Sequence, residues 1–199
     1  MISNKEISKA LNLCAQLMEL HEENVFKSRS YSNAAFKIGK LDKQIASLQP
    51  SEIAGLEGIG KSISSCLTEM LSTGKFEELG RLASITPPGI MDMMAIKGIG
   101  PKKISVIWKS LQVESIGELL YACNENRLSS LKGFGQKTQE QIKKSIEFKI
   151  SNSGKFLYAT GEFVAQNLLD FLFNAGVVGR IELTGDIRRK CEIIESIDV

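Results

Sequence analysis

The sequence predicts a mainly α-helical fold that ends in the beginning of an α/β unit. Apolar residues recur every three or four positions through most of the 199 residues, as in helices that bury one face. Turns of the pattern apolar-x-Gly-apolar-Gly interrupt these stretches three times. Alternating apolar and polar residues, typical of strands, are confined to residues 177–183 and 192–199. We therefore predict helical domains joined to a small mixed unit.

Each predicted helix depends on a local signal. Ser3 with Glu6 three residues later is typical of a capping box, and it begins a first helix over residues 3–20. Chain breakers at Thr86-Pro-Pro-Gly and Ser151-Asn-Ser-Gly predict boundaries between domains 1–85, 86–152 and 153–199. Further helices are predicted for residues 30–39, from Pro50 into the first glycine turn, and for residues 75–82, 116–123 and 156–173.

Composition disfavours several classes of function. The chain is 43% hydrophobic and 24% charged, and no segment approaches the roughly 18 apolar residues of a membrane span, so we expect a cytoplasmic protein without membrane contact. The four cysteines lie far apart without C-x-x-C spacing, which disfavours a disulfide framework and a zinc site. His21, the single histidine, lies in a charged stretch and leaves little basis for histidine-dependent catalysis.

The three glycine turns form a repeat, which we name the first hairpin (residues 56–63, LEGIGKSI), the second hairpin (residues 96–104, IKGIGPKKI) and the third hairpin (residues 131–138, LKGFGQKT). Each leads into an amphipathic run and so into the start of a helix. The first turn of a helix has unpaired N–H groups and a positive dipole end, and glycine lets an anion approach closely. We therefore predict binding of a sugar-phosphate strand irrespective of base sequence. The predicted DNA-binding residues are Gly58, Gly60, Lys61, Gly98, Gly100, Lys102, Lys103, Gly133, Gly135 and Lys137.

The distribution of charge supports this interpretation more than the total charge does. The formal net charge is only +2, which is not decisive about partners. Residues 97–109 nevertheless carry four lysines and no acid. A local basic patch of this kind is typical of a modest phosphate binder, although a solvated lysine face remains an alternative.

The repeated turn resembles the helix-hairpin-helix motif of DNA repair and replication proteins. The resemblance implies that hairpin carbonyls hold a monovalent cation, K⁺ or Na⁺, beside the DNA backbone. The carbonyls that correspond are those of Ala54, Leu56 and Ile59, and of Met94, Ile96 and Ile99.

The order of parts resembles the N-terminal part of a bacterial family X DNA polymerase, a DNA polymerase beta-like enzyme. Two hairpins about 40 residues apart are followed by a third, an apolar helix, Gly185-x-x-Arg188-Arg189 and then Ile197-Asp198. The resemblance implies a helical 8-kDa-type domain, a fingers-like domain with the second and third hairpins, and the beginning of an α/β nucleotidyltransferase palm. It implies gap-filling nucleotidyl transfer in DNA repair, with dNTP and Mg²⁺, on gapped, nicked or primer-template DNA. A monomeric, nucleoid-associated bacterial protein is expected.

Two palm positions depart from the family pattern. Gly185, Arg188 and Arg189 match its nucleotide-binding motif Gly-Ser-x-Arg-Arg, but Asp186 stands at the serine position, where an acid would repel a triphosphate. Asp198 matches the second acid of the Asp-x-Asp metal motif, whereas Ser196 stands at the first. Asp198 is thus the one matched catalytic and Mg²⁺-binding acid, and a neutral hydroxyl is a poor Mg²⁺ ligand beside it. The family's third acid would lie beyond Val199, so these 199 residues alone are expected to be inactive as a polymerase.

Resemblance also implies a lyase site in the small N-terminal domain, where a lysine removes 5′-deoxyribose phosphate as a Schiff base. Lys27, Tyr31 and Lys75 match shared residues, but Cys66 stands at the Schiff-base position. A thiol cannot form the imine, so we expect this chemistry to be absent unless Lys61 or another neighbour substitutes.

Three hypotheses remain from the sequence. The chain is the front part of a gap-filling polymerase, or a non-polymerising DNA-binding module that positions a downstream PHP-type nuclease domain, or a purely structural helix-hairpin-helix protein. The strand-like end disfavours the third. Because that end falls within an expected strand, we expect the natural protein to continue past Val199. We favour sequence-independent DNA binding with impaired polymerisation.

Overall fold

The computed structural model describes residues 2–176 and 180–199, and the predicted mainly α fold is confirmed. Contacts divide the chain into two compact units, one ending at Ile146 and one of Glu147–Val199. Among the described residues, no helix is long and apolar enough to cross a membrane. The first unit contains a 3₁₀ turn at Ile45–Ser47 and the helices α1 (Asn4–Leu20), α2 (Val25–Gly39), α3 (Pro50–Ala54), α4 (Lys61–Thr73), α5 (Glu77–Ser84), α6 (Pro88–Met94), α7 (Pro101–Leu111), α8 (Ile116–Asn124) and the start of α9 (Gln136–Ser151).

Helix α1 begins where the capping signal predicts. The Ser3 side chain accepts a hydrogen bond from the Glu6 N–H at 3.3 Å, and the Ser3 N–H donates to Glu6 Oε2 at 2.8 Å. One face of the helix, including Ile7, Leu11 and Met18, is fully buried. Burying an aliphatic side chain of this size stabilises the fold by about 1.5–3 kcal/mol, so this face rather than helix propensity holds α1 in place.

Helix α2 begins earlier than predicted. The sequence pattern placed its start at residue 30, whereas the helix begins at Val25. The cause is Asn24, whose Oδ1 accepts hydrogen bonds from the N–H groups of Phe26 at 2.9 Å and Lys27 at 3.3 Å. This cap satisfies N–H groups of the first turn and extends the helix over residues with no regular apolar spacing.

The core of the first unit extends on both sides of residue 86. Helix α1 packs against α2 and α5 and also against α7. Thr86 is buried, and its hydroxyl lies 2.7 Å from Nε2 of His21 and donates to the Leu82 carbonyl at 2.7 Å. Pro88 then begins α6, as its fixed φ allows. The predicted division into domains 1–85, 86–152 and 153–199 is not tested by these contacts and stays a prediction.

The second unit contains strand β1 (Phe156–Leu157), helix α10 (Tyr158–Asn174), helix α11 (Gly185–Arg189) and strand β2 (Ile193–Ile194). The strands are antiparallel, and Phe156 pairs with Ile194. A small core contains Ala165, Ile187 and Ile194. Gly161 lets α10 approach β2 closely, because a Cβ there would lie 2.9 Å from the Ile194 side chain.

Three expectations for this unit are wrong. The helix predicted from residue 156 begins at Tyr158, because the two residues before it pair with β2. The strand predicted over residues 192–199 is reduced to Ile193–Ile194. Of the strand predicted over residues 177–183, residues 180–183 form no strand, and residues 177–179 lie outside the described residues. Alternation marks residues that can form a strand, but a strand forms only where a second strand supplies the hydrogen bonds.

Candidate nucleic-acid interface

All three hairpins share one backbone conformation. The first glycine of each hairpin has a positive φ, which side chains rarely adopt: 79° at Gly58, 94° at Gly98 and 88° at Gly133. The second glycine directly precedes the following helix, α4, α7 or α9. The predicted arrangement, a tight turn that leads into a helix N-terminus, is confirmed for each hairpin.

An apolar residue between the two glycines closes each turn. Its N–H donates to the carbonyl three residues earlier, as from Ile59 to Leu56 at 3.1 Å and from Phe134 to Leu131 at 3.0 Å. Its side chain is buried, with 7% of Ile59 and 4% of Phe134 exposed. This residue therefore anchors the turn in the core, while the glycines beside it face solvent.

The second glycine of each hairpin has no internal reason to be glycine. Its φ is not positive, and a Cβ built on it would meet no atom within 4 Å at Gly60, Gly100 or Gly135. The fold would accept a side chain at these positions. What a side chain would obstruct is access to the unpaired N–H groups at the start of the next helix. The missing Cβ thus leaves an open approach for an anion.

Lysines of the hairpins differ in their surroundings. Lys61 and Lys137 are exposed in the first turns of α4 and α9. Lys102 instead has its Nζ 3.5 Å from Oε1 of Glu19 on α1. Lys103 directs its Nζ to the third hairpin, 5.8 Å from the centre of the Phe134 ring. The two predicted DNA-binding lysines of the second hairpin therefore contact different parts of the first unit, α1 and the third hairpin.

A cavity of about 430 Å³ lies between the first hairpin and α2. It brings together Lys27 and Tyr31, which the resemblance singles out, with Gly60 and Lys61 of the hairpin. Burial raises the pKa of Tyr31 to about 12, so its phenol is neutral at physiological pH. Lys37 also lines this cavity and was missed by sequence reasoning. No local signal could have found it, because the hairpin atom that Lys37 contacts lies 20 residues away in sequence.

Cys66 is a buried thiol of α4. Burial raises its pKa to about 12, so it stays protonated and unreactive at neutral pH. This state is compatible with the expectation that no Schiff base forms at this position, which stays a prediction. Lys75 lies in the turn between α4 and α5.

The hairpin carbonyls have the right chemistry for a weakly held cation. The carbonyl oxygens of Leu56 and Ile96 each accept one N–H, from Ile59 and Ile99, and retain a second lone pair. Neutral oxygen ligands suit hard cations. The predicted K⁺ or Na⁺ sites stay a prediction.

Around α11 the structure brings some of the predicted palm residues together. A Cβ on Gly185, whose φ is 57°, would lie 2.0 Å from Oδ2 of Asp198, so glycine is required for this approach. Ser196 Oγ donates to the same Asp198 oxygen at 3.1 Å. Arg188 and Arg189 are both exposed, and Arg189 Nη2 donates to Asp186 Oδ1 at 2.8 Å. In residues 2–176 and 180–199, no group of three His, Cys, Asp or Glu side chains is placed to hold a metal ion.

Comparison with known proteins agrees with this geometry. Residues 2–76 match the model of a helix-hairpin-helix domain, and residues 90–147 match that of a SAM-like helix-hairpin-helix tandem. The chain thus contains two regions similar to helix-hairpin-helix domains, which indicate DNA binding. The chain is also 27% identical to the DNA polymerase/3′-5′ exonuclease PolX of Bacillus subtilis (strain 168) over 194 aligned residues. The alignment covers 98% of this chain and 34% of the relative. The chain therefore spans about a third of the length of this relative. The resemblance to the N-terminal part of a bacterial family X DNA polymerase is confirmed.

Proposed function

We propose that this chain binds DNA through its backbone phosphates, without base preference, and that all three hairpins take part. The observation that carries the proposal is the open second glycine of each hairpin, where a Cβ would touch nothing in the protein. Phosphate oxygens accept hydrogen bonds from the helix N–H groups, and Lys61, Lys103 and Lys137 add positive charge. Because such contacts reach no base edge, they carry no sequence information.

The natural partner on this proposal is gapped, nicked or primer-template DNA. A monovalent cation on the carbonyls of Ala54, Leu56 and Ile59, or of Met94, Ile96 and Ile99, would neutralise phosphate charge further. The same framework in family X enzymes supports repair synthesis with dNTP, and the PolX relative is named as a polymerase and 3′-5′ exonuclease.

Impaired nucleotidyl transfer is the second part of the proposal. Arg189, which would meet a triphosphate, already pairs with Asp186 at 2.8 Å. Mg²⁺ would be held by Asp198, but the Ser196 hydroxyl beside this one carboxylate is a poor Mg²⁺ ligand. These contacts favour impaired nucleotidyl transfer. The alternative function, a DNA-binding module that positions a downstream nuclease domain, stays a prediction.

The test replaces the open glycines. We expect Gly60→Ala, Gly100→Ala and Gly135→Ala each to weaken binding of a fluorescent gapped duplex about tenfold, which corresponds to about 1.4 kcal/mol, because the added methyl group obstructs phosphate approach. Fluorescence anisotropy measures the affinity. The melting temperatures should change little, because each new Cβ has free space.

Gly80→Ala on α5 is the matched control, since a Cβ there also meets nothing within 4 Å and lies outside the hairpins. Wild-type affinity should fall linearly with salt on logarithmic axes and should not change with duplex sequence. Absence of DNA binding by the wild type, or hairpin variants that bind like Gly80→Ala, would refute the proposal.

A further inference from the structure

One lysine of α2 reaches into the first hairpin. Nζ of Lys37 lies 3.0 Å from the carbonyl oxygen of Glu57 and 3.3 Å from Oε1 of the same residue. The carbonyl belongs to the backbone of the turn itself, directly before Gly58. An ammonium group from a neighbouring helix is therefore fixed at the hairpin by a main-chain contact.

Gly58 makes this approach possible. A Cβ at this position would lie 2.4 Å from Lys37 Nζ and 2.9 Å from its Cε. At the corresponding glycines of the other hairpins, Gly98 and Gly133, a Cβ would meet nothing within 4 Å. At the first hairpin, a lysine side chain from outside the motif thus lies against the first glycine, whereas the same position is open at the second and third hairpins.

The two partners of Lys37 bind it unequally. The Glu57 side chain is 100% exposed, and that of Lys37 is 42% exposed, so water and salt screen their ion pair strongly. The bond to the backbone carbonyl is fixed by the turn. A phosphate that replaces the Glu57 carboxylate would therefore find the ammonium group already in position.

The cavity beside the first hairpin is also lined by positively charged side chains, which would attract a phosphate. Lys37 lines this cavity with Lys61 and Lys27. Lys27 is neutralised by an ion pair with Glu78 on α5. Lys61 is exposed at the first position of α4, beside the open Gly60. Lys37 thus lines the cavity and also contacts the backbone of the turn.

We propose that Lys37 is a DNA-phosphate ligand of the first hairpin, and that the Glu57 carboxylate pairs with the Lys37 ammonium group until a phosphate replaces it. The assignment rests on the proposed function, and it adds a residue that the hairpin motif does not contain. The phosphate would accept hydrogen bonds from the N–H groups at the start of α4 and from Lys37 Nζ, while the Glu57 carboxylate moves into solvent.

The experiment is a double-mutant cycle in the full chain, with anisotropy of a fluorescent gapped duplex as readout. Lys37→Gln should weaken binding about three- to tenfold and reduce the salt slope by about one. Glu57→Gln should strengthen binding about threefold, because it removes the competitor. In the Lys37→Gln background, Glu57→Gln should have no effect beyond a small general charge term. Lys37→Arg, which keeps the charge, should retain most of the affinity.

Lys40→Gln at the end of the same helix is the matched control, since Lys40 Nζ lies over the Phe36 ring, 4.1 Å from its centre. Equal losses for Lys37→Gln and Lys40→Gln would overturn the assignment. So would a gain from Glu57→Gln that persists without Lys37. If either of these results is found while the hairpin glycine variants still lose DNA binding, only the role of Lys37 is refuted. If the wild type binds no DNA, the proposed function itself is refuted.

Discussion

Asp186, in the first turn of α11, determines which charge a nucleotide would meet at this turn. Its Oδ1 accepts a hydrogen bond from Arg189 at 2.8 Å, and its Oδ2 accepts one from the Glu195 N–H at 3.4 Å. The carboxylate is therefore held in place by the turn. A triphosphate at this turn would have to separate an existing ion pair and approach a like charge.

We predict that Asp186→Ser strengthens binding of a deoxynucleoside triphosphate with Mg²⁺ about tenfold, because it removes one repelling charge and releases Arg189. Isothermal titration calorimetry on the purified chain measures this affinity. Glu192→Gln, an exposed acid nearby in sequence, controls for net charge. Equal affinities for Asp186→Ser and the wild type would show that Asp186 does not obstruct the nucleotide.

At the scale of elements, Glu78 joins three segments of the first unit. Its carboxylate on α5 binds Lys27 of α2 and Arg81, and Arg81 Nη2 donates to Glu23 after α1 at 2.7 Å. Hydrogen bonds from Arg81 and then from Lys27 lower the pKa of Glu78 from 4.5 to about 2. The folded state therefore binds this proton less readily than the unfolded chain does.

We predict a corresponding loss of stability in acid. The contribution of Glu78 is present above pH 4.5, its ordinary pKa, and is lost as the pH falls toward about 2. Glu78→Gln should lower the free energy of unfolding at pH 7 by about 1–2 kcal/mol, allowing for partial exposure, and should flatten the decline below pH 4.5. Urea unfolding across this pH range provides the measurement. The neighbouring exposed Glu77→Gln is the control, and an identical pH profile for both variants would contradict the prediction.

At the scale of the whole molecule, acidic residues at and just after the C-terminal end of α1 form ion pairs with lysines of α7. Glu22 Oε2 lies 2.7 Å from Lys109 Nζ, and its Oε1 accepts a hydrogen bond from Ser105 at 3.2 Å. Glu19 pairs with Lys102 in the same way. The basic patch that the sequence shows between residues 97 and 109 is therefore partly neutralised inside the first unit.

We predict that Glu19→Gln combined with Glu22→Gln strengthens DNA binding about three- to tenfold, because Lys102 and Lys109 become available to phosphates. The salt slope should become steeper by about one to two. Both are measured by anisotropy at several salt concentrations. Glu125→Gln combined with Glu140→Gln changes net charge equally, and an equal gain from that pair would exclude a specific role for α1.

Much of the fold and of the hairpin site could be predicted because the signals are local. The cap at Ser3 involves residues three positions apart, and each hairpin needs one glycine at positive φ and one before a helix. The predicted start of α2 was wrong because the helix is capped by Asn24, and no regular apolar pattern follows Asn24 to mark the first turn. The strands near the end were overestimated because alternation does not show which residues have a partner.

The sequence by itself determined the helical class, the three hairpins and the departures at Asp186 and Ser196, since backbone conformation and residue chemistry need no distant partner. Only the tertiary structure decided how the charges are used. It places Lys37 against Glu57, 20 residues away, and it pairs Lys102 with Glu19. Such pairs depend on which helix faces pack against each other, because this packing sets the positions from which the flexible side chains extend. These lysines are equivalent in the composition, but the packing of the helices gives each one a different partner.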